Sequence, residues 1–341
     1  MKVVAAVDKF KGTASAVAVA QAIGHASWEL GHDCIELALA DGGEGTLEAL
    51  GGPNRTSTVT GPLGDPVEAE WRFHRGTAVI EMARASGLTL AGGPELNDPI
   101  AASTTGTGEL IDKALDLGAE RIIVCLGGSA TTDGGLGAVR AIHAPARLRG
   151  VEFLVACDVE TLFLEAPREF GPQKGATARQ IRLLESRLER LVQLYKETHG
   201  IDVSATPGAG AAGGLAGGLL ALGATLIPGF DMVADEVGLH DHVRDADVVI
   251  TGEGQLDFTS FEGKVVGGVV DLARAARVPV GVICGRIDPS AHDATQFEDI
   301  TAGVMALADN FGVERAMREP LWCIEQAALD LLRTISPSSS R

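Results

Sequence analysis

Short runs of β-branched and apolar residues alternate along the chain with stretches whose apolar positions recur at helical spacing, the pattern of an α/β architecture. The run "KVVAAV" (2–7) predicts a buried strand, followed by a helix near 13–30 and a second strand near 33–39. Toward the other end, "ADVVI" (246–250), "VPVGVIC" (278–284) and "DITAGVMAL" (299–307) predict three further strands separated by helical stretches and closed by a helix near 312–333. The two blocks predict one doubly wound parallel sheet of the flavodoxin or Rossmann kind, built from residues 1–53 and 241–341. Between them, "RTSTVTGPLGDPVEAEWRF" and "TAVIEMA" read as antiparallel strands with a turn at "GPLGDP", "ELIDKALDLGAE" as a helix, and "RIIVCL" and "EFLVACD" as further strands. Residues 54–240 are therefore expected to form an inserted, mixed α/β domain. No internal repeat is visible, and only the tail "SPSSSR" (336–341) has the composition of a disordered segment.

Glycine-punctuated polar segments recur where the strands end: "DKFKG" (8–12), "DGGEGT" (41–46), "STTGTGE" (103–109), "GGSATTDGG" (127–135), "FGPQKGA" (170–176) and "TGEGQLD" (251–257). Ligands of open α/β sheets sit at the carboxyl ends of the strands, so these loops are the expected ligand sites. "GGSATTDGG" holds four glycines, three hydroxyls and Asp133, more than a reversal of direction requires. Gly127, Gly128, Ser129 and Thr132 would let backbone and hydroxyls approach a phosphate, and Asp133 suits Mg²⁺, an ion that takes oxygen ligands and often only one or two carboxylates. In "STTGTGELI", Gly106 and Gly108 lie at a helix start that favours an anion, although a plain Ser or Thr cap accounts for the same residues. The stretch "TPGAGAAGGLAGGLLALGA" (206–224) reads first as a helix packed closely through small residues.

Lysines are few at these loops. Lys9 and Lys11 follow the first strand, Lys174 lies in "FGPQKGA" and Lys264 in "FEGKVVGG"; each either faces solvent or neutralises a transferring phosphoryl group. His25, His32, His240 and His242 lack metal-ligand spacing. Neither a Walker A loop nor a GxGxxG after the first strand is present, which counts against a nicotinamide-type site and a dinucleotide oxidoreductase.

The net charge of −18 argues against nucleic acid as a partner, since that affinity comes from clustered Lys and Arg. With 45% hydrophobic and 22% charged residues, no apolar stretch of membrane-spanning length and no signal-peptide pattern, the chain is expected to be cytoplasmic with no membrane partner. Five widely spaced cysteines, Cys34, Cys125, Cys157, Cys284 and Cys323, read as reduced thiols rather than bridges or a metal site.

The segments "DKFKG", "DGGEGT", "TGPLG", "AVIEMARASGL", "TGTGELI", "GGSATTDGG", "ACDV", "FGPQKGA", "PGAGAAGGL" and "TGEGQLD" occur in the order seen in bacterial type I glycerate kinases, and over nearly its whole length the chain resembles that family. The resemblance implies phosphorylation of D-glycerate by ATP with Mg²⁺, 2-phosphoglycerate being the favoured product, in a cleft between a flavodoxin-like domain and a second mixed α/β domain. It implies a small-molecule substrate and a monomer or homodimer. Charge and position then nominate Asp8, Asp133 and Asp158 to take the hydroxyl proton or hold metal, and Lys11 and Lys174 to bind the substrate carboxylate or the γ-phosphate. Glu253 and Asp257 join Asp133 as metal-side acids, while Asp41, Glu44 and Lys264 complete the expected substrate and phosphate contacts.

The chain departs from that family in three places. "RAIHAPARLRG" stands where relatives carry a longer segment, "ETLFLEAPRE" replaces an Asn-Pro-Leu turn and a small-residue stretch, and Thr105 replaces an aromatic residue ahead of "GTG". A paralogue that binds nucleotide or glycerate without turnover, because of the shortened second domain, is the rival expectation.

Overall fold

The computed structural model describes residues 1–335; the tail 336–341, expected to be disordered, lies outside them. The strands in chain order are β1 (Lys2–Val7), β2 (Asp33–Ala38), β3 (Arg55–Thr60), β4 (Pro66–His74), β5 (Thr77–Glu81) and β6 (Arg121–Cys125). They continue with β7 (Glu152–Ala156), β8 (Thr225–Ile227), β9 (Val248–Leu256), β10 (Val280–Ile287) and β11 (Gly303–Ala306).

One sheet has the order β11-β10-β9-β1-β2, parallel throughout. Its central strands are buried almost end to end, as Val3–Val7 are, which is why the sequence there shows continuous apolar runs instead of alternation. Counted in their own order of appearance these strands run 2-1-3-4-5, the flavodoxin-like winding, and the direction of winding reverses between β1 and β9. The other sheet has the order β3-β4-β5-β6-β7-β8. It is antiparallel from β3 to β5 and parallel from β5 to β8, so this is a mixed sheet as expected.

Contacts divide the chain into two compact units, one of Met1–Asp41, Glu48–Leu50 and the residues from Phe230 onward, the other of Gly42–Leu47 and Gly51–Gly229. The division falls earlier than the expected 53/54 and 240/241, and hydrogen bonding gives the reason. The Gly45 and Leu47 amides donate to Glu81 Oε1 at the end of β5, 2.8 and 2.9 Å away, which attaches the "DGGEGT" loop to the second unit. The Gly229 amide likewise donates to Asp158 Oδ1 after β7.

Two elements differ from expectation. The helix expected near 312–333 is two helices, Val313–Arg318 and Pro320–Ile335, because Pro320 starts a new first turn, and Gly312, at φ +82°, divides them from a further helix Leu307–Phe311. The short β8 was not expected at all; three residues carry too little pattern. Around "RAIHAPARLRG" the helix Leu136–Ala141 ends close to the predicted Ile142, and a 3₁₀ turn over Pro145–Gly150 leads directly into β7. All five cysteines are free.

The Gly-rich stretch packs as its composition suggests. Ala212, Gly213 and Gly214 are left-handed at the start of the helix Ala211–Ala221, and a side chain at Gly213 would meet the Thr131 carbonyl oxygen at 1.9 Å. At Gly214 the obstacle is Gly134 Cα, 2.8 Å away, and at Gly218 the Gly134 oxygen, also 2.8 Å. Gly213→Ala should therefore destabilise the protein by about 2 kcal/mol or more, through overpacking as well as its left-handed backbone. Gly223→Ala is the control, since that site has φ +95° and nothing within 4 Å; it should cost only about 1 kcal/mol for the backbone. Urea unfolding of both variants checks this, and equal losses would show that the close packing contributes nothing.

Candidate active site

Four acids nominated from sequence, Asp8, Asp41, Glu253 and Asp257, belong to the first unit, and two of them lie where the winding of its sheet reverses. Asp8 and Glu253 each lie three residues beyond the paired residues Ala5 and Ile250 of β1 and β9, and the Asp8 amide donates to the Gly252 carbonyl at 2.9 Å. Burial pushes the Asp8 carboxyl up to about 6, with Lys9 opposing and the nearby Asp41 reinforcing the shift. Burial also pushes Glu253 up to about 7, eased by the Ser260 hydroxyl and raised further by Asp8. Glu253 Oε1 is buried with no hydrogen-bond partner, whereas Asp8 Oδ1 accepts from the Lys9 amide at 2.7 Å and faces Lys9 Nζ at 3.6 Å. Two half-buried carboxylates, largely desolvated and one with an unmet oxygen, form a site whose acids hold protons more tightly than usual.

Around this pair the nominated residues separate. Lys264 is half-buried, donates to Thr259 Oγ1 and lowers the Glu253 pKa by its charge. Lys11 and Glu44 are exposed. Asp257 caps the 3₁₀ turn Phe258–Phe261, its Oδ1 accepting from the Ser260 amide and the Thr259 hydroxyl, so that oxygen is already engaged. Lys9, which the sequence could not distinguish from an ordinary surface lysine, is the cation that touches Asp8.

On the second unit the "GGSATTDGG" loop leaves β6 and is held from several sides. Lys174 is 2% exposed, and its Nζ donates to Ser129 Oγ and to the Thr131 carbonyl, both at 2.7 Å. Burial brings its pKa down to about 7, against the pull of Asp133. The Lys174 amine thus braces the loop rather than facing solvent. Asn97, overlooked in the sequence, ties the Ala130 carbonyl to that of Lys174. Gly127 comes close to Gly43, Gly128 is left-handed at φ +63°, and the buried hydroxyls of Thr131 and Thr132 have no hydrogen-bond partner.

Asp133, nominated as a metal ligand or proton acceptor, has both carboxyl oxygens engaged by donors of the protein. Its Oδ2 accepts from the Thr104 amide, the Thr104 hydroxyl and the Gly137 amide at 2.8–3.1 Å, and its Oδ1 from the Gly135 amide. Four donors stabilise the carboxylate as it stands and join the 103–105 turn to the helix Leu136–Ala141. Asp158 Oδ1 is likewise engaged by the Gly229 amide. Gly106 and Gly108 belong to the packing of the helix Thr105–Asp116: side chains there would meet the Thr60 and Ala138 carbonyl oxygens at 2.1 and 2.4 Å. A phosphate is not needed to explain those glycines. Among the described residues no three His, Cys, Asp or Glu side chains form a group that could hold a metal. No helix among them is long and apolar enough to cross a membrane.

The comparisons with known proteins agree with one another. A sequence model of the glycerate kinase family matches residues 3–145 and 139–336, two pieces that meet at the shortened segment. The glycerate 2-kinase of Escherichia coli strain K12 is 40% identical over 84% of this chain and 86% of its own length. The glycerate kinase of Bacillus subtilis strain 168 is 40% identical over 91% of this chain and 93% of its own. A solved structure from Salmonella typhimurium LT2, assigned to glycerate kinase 2, covers 98% of both chains with a TM-score of 0.84 at 36% identity. Carried by family match, relatives and fold alike, the conclusion is that this chain belongs to the glycerate kinase family.

Proposed function

We propose that the protein transfers the γ-phosphoryl group of ATP to D-glycerate, with 2-phosphoglycerate as the product. The observation that carries the reading is the half-buried pair Asp8 and Glu253 at the reversal point of the parallel sheet, the place where ligands of this architecture bind. The name of the Escherichia coli relative favours the 2-position. ATP as donor fits a cytoplasmic enzyme.

Phosphoryl transfer asks a protein mainly for positioning and charge control. Asp8 Oδ1 is occupied by Lys9, which leaves Oδ2 to accept the proton of the attacking hydroxyl. A carboxylate with a pKa near 6 is a better base than one near 4 and is still ionised at neutral pH. Mg²⁺ fits this site: it takes one or two carboxylates and keeps several waters, and Glu253, with its unpartnered Oε1, is the carboxylate that would hold it. The ion would supply charge neutralisation for the phosphoryl oxygens. Lys264 and Lys11 are the cations on the same unit available to anionic groups. The loop 127–135 contributes backbone shape and hydroxyls, fixed in place by Lys174 and Asp133. Its rival, a paralogue that binds without turning over, draws on the shortened segment, yet that segment is a compact connection that leaves β7 in place.

Incubation with D-glycerate, ATP and Mg²⁺, followed by coupled ADP detection and phosphorus NMR of the product, tests the reading. Release of ADP with a phosphate at C2 is expected; nucleotide binding without ADP release would establish the non-catalytic paralogue. Asp8→Asn should lower kcat by roughly 10²-fold or more with the fold intact, and near-normal turnover would remove Asp8 from the chemistry.

The same burial makes a prediction about stability. Asp8 rises from 3.8 to about 6 on folding, so the native state holds the proton more tightly than the unfolded chain does. Stability from this group is present at acid pH and is lost as pH climbs from about 4 to 6. In metal-free buffer at pH 8, Asp8→Asn should therefore stabilise the protein by about 3 kcal/mol, and much less at pH 4. Thermal melts at the two pH values check the sign, and equal effects at both would mean that Asp8 is not held in its neutral form by the fold.

A further inference from the structure

A cavity of about 350 Å³ opens on the second unit among Ser103, Thr105, Asp133, Gly137 and Arg140. We propose that it is a binding site for a small oxyanion, a carboxylate or a phosphate, with Arg140 as its charged donor. Arg140 is exposed and has no ion pair or hydrogen bond among the described residues, and its charge is felt at the buried Tyr195 nearby. In a chain of net charge −18, an uncommitted guanidinium at the mouth of a cavity is a specific feature, because Arg offers a planar fork that matches carboxylate and phosphate. The hydroxyls of Ser103 and Thr105 lie 2.8 Å apart in the wall and can turn one donor toward a guest. Asp133 is also there, but its four hydrogen bonds hold its charge against amides and the Thr104 hydroxyl, and so weaken its repulsion of an anion.

The wall is built for close approach. A side chain at Gly137 would come within 2.3 Å of Ser103 Oγ, 2.7 Å of the Thr105 amide nitrogen and 2.9 Å of Asp133 Oδ2, so only glycine lets these polar atoms share one wall. The cavity also lies at a break in the family pattern. Arg140 and Ala141 line it, and the two pieces of the family match meet at 139–145. An alignment with the glycerate kinase of Halalkalibacterium halodurans runs over 375 positions, more than the 341 residues of this chain, so that relative carries residues with no counterpart here.

The test is calorimetric titration of the full chain with D-glycerate and, separately, with inorganic phosphate, for the natural protein and for Arg140→Met and Ser103→Ala. Loss of a charge-assisted donor should weaken binding about 10-fold or more in Arg140→Met, with a smaller loss in Ser103→Ala and unchanged thermal melting in both. Weakening of D-glycerate alone identifies the seat of an organic acid's carboxylate, and weakening of phosphate alone identifies a free-phosphate site; either supports the proposal. Binding of neither anion, or binding equally tight in Arg140→Met, overturns it. The loss in Arg140→Met reports on this cavity alone, whereas D-glycerate binding that Arg140→Met leaves unchanged belongs to the site of Asp8 and speaks only for the proposed function.

Discussion

The first unit is organised around a constraint that a stability-optimised sheet would avoid: two half-buried, desolvated carboxylates where neighbouring parallel strands end. Asp8 and Glu253 are brought there by the register of β1 against β9, and neither can move away without disturbing the strand pairing that forms the middle of the sheet. Desolvation raises the proton affinity of both, Asp41 raises that of Asp8 further, and Asp8 raises that of Glu253. Lys9 offsets part of the cost for Asp8, while Glu253 keeps an oxygen without a partner. Perturbed acids of this kind cluster at functional sites, and acid–base work on an anionic substrate is the function proposed for this pair.

The second unit solves a different problem, how to hold a loop of four glycines in one conformation. "GGSATTDGG" has little side-chain bulk with which to fix itself, so its neighbours do so. Lys174 and Asn97 take its carbonyls, Asp133 reaches back to Thr104, and the Tyr195 hydroxyl donates to the Gly134 carbonyl. The left-handed turn at 212–214 closes against the loop with no side chains between the backbones. Glu81, buried at the end of β5, does the same for "DGGEGT" and is itself paired with Arg84. The buried ionic groups of this unit thus act on backbone, and through it on the shape of the loops.

Much of this was legible in the sequence where period and punctuation are strong. The buried parallel strands, the antiparallel start of the second sheet and the glycine-rich helix start all follow from runs, alternation and turn residues. The site was legible as a set of loops, but the sequence could not say which acid in each loop is left unsatisfied. Asp133 looks more catalytic than Asp8 because hydroxyls and glycines surround it; in the fold its hydrogen-bond donors are the Gly135 and Gly137 amides and Thr104, and the loop's own hydroxyls take no part. Lys174 and Glu81 gave too weak a signal to be read as braces. A glutamate closing the apolar strand "TAVIE" was the available clue, and only tertiary contact shows what it holds.

The claim on which this account rests is that the carboxyls of Asp8 and Glu253 are desolvated and hold protons abnormally tightly. Carbon-13 NMR titration of the side-chain carboxyls in metal-free protein, assigned with Asp8→Asn and Glu253→Gln, measures this directly. The account predicts that Asp8 titrates at about 6 and Glu253 at about 7, and that removing Asp8 lowers the pKa of Glu253. Titration of both near 4, with Glu253 indifferent to the loss of Asp8, would contradict it.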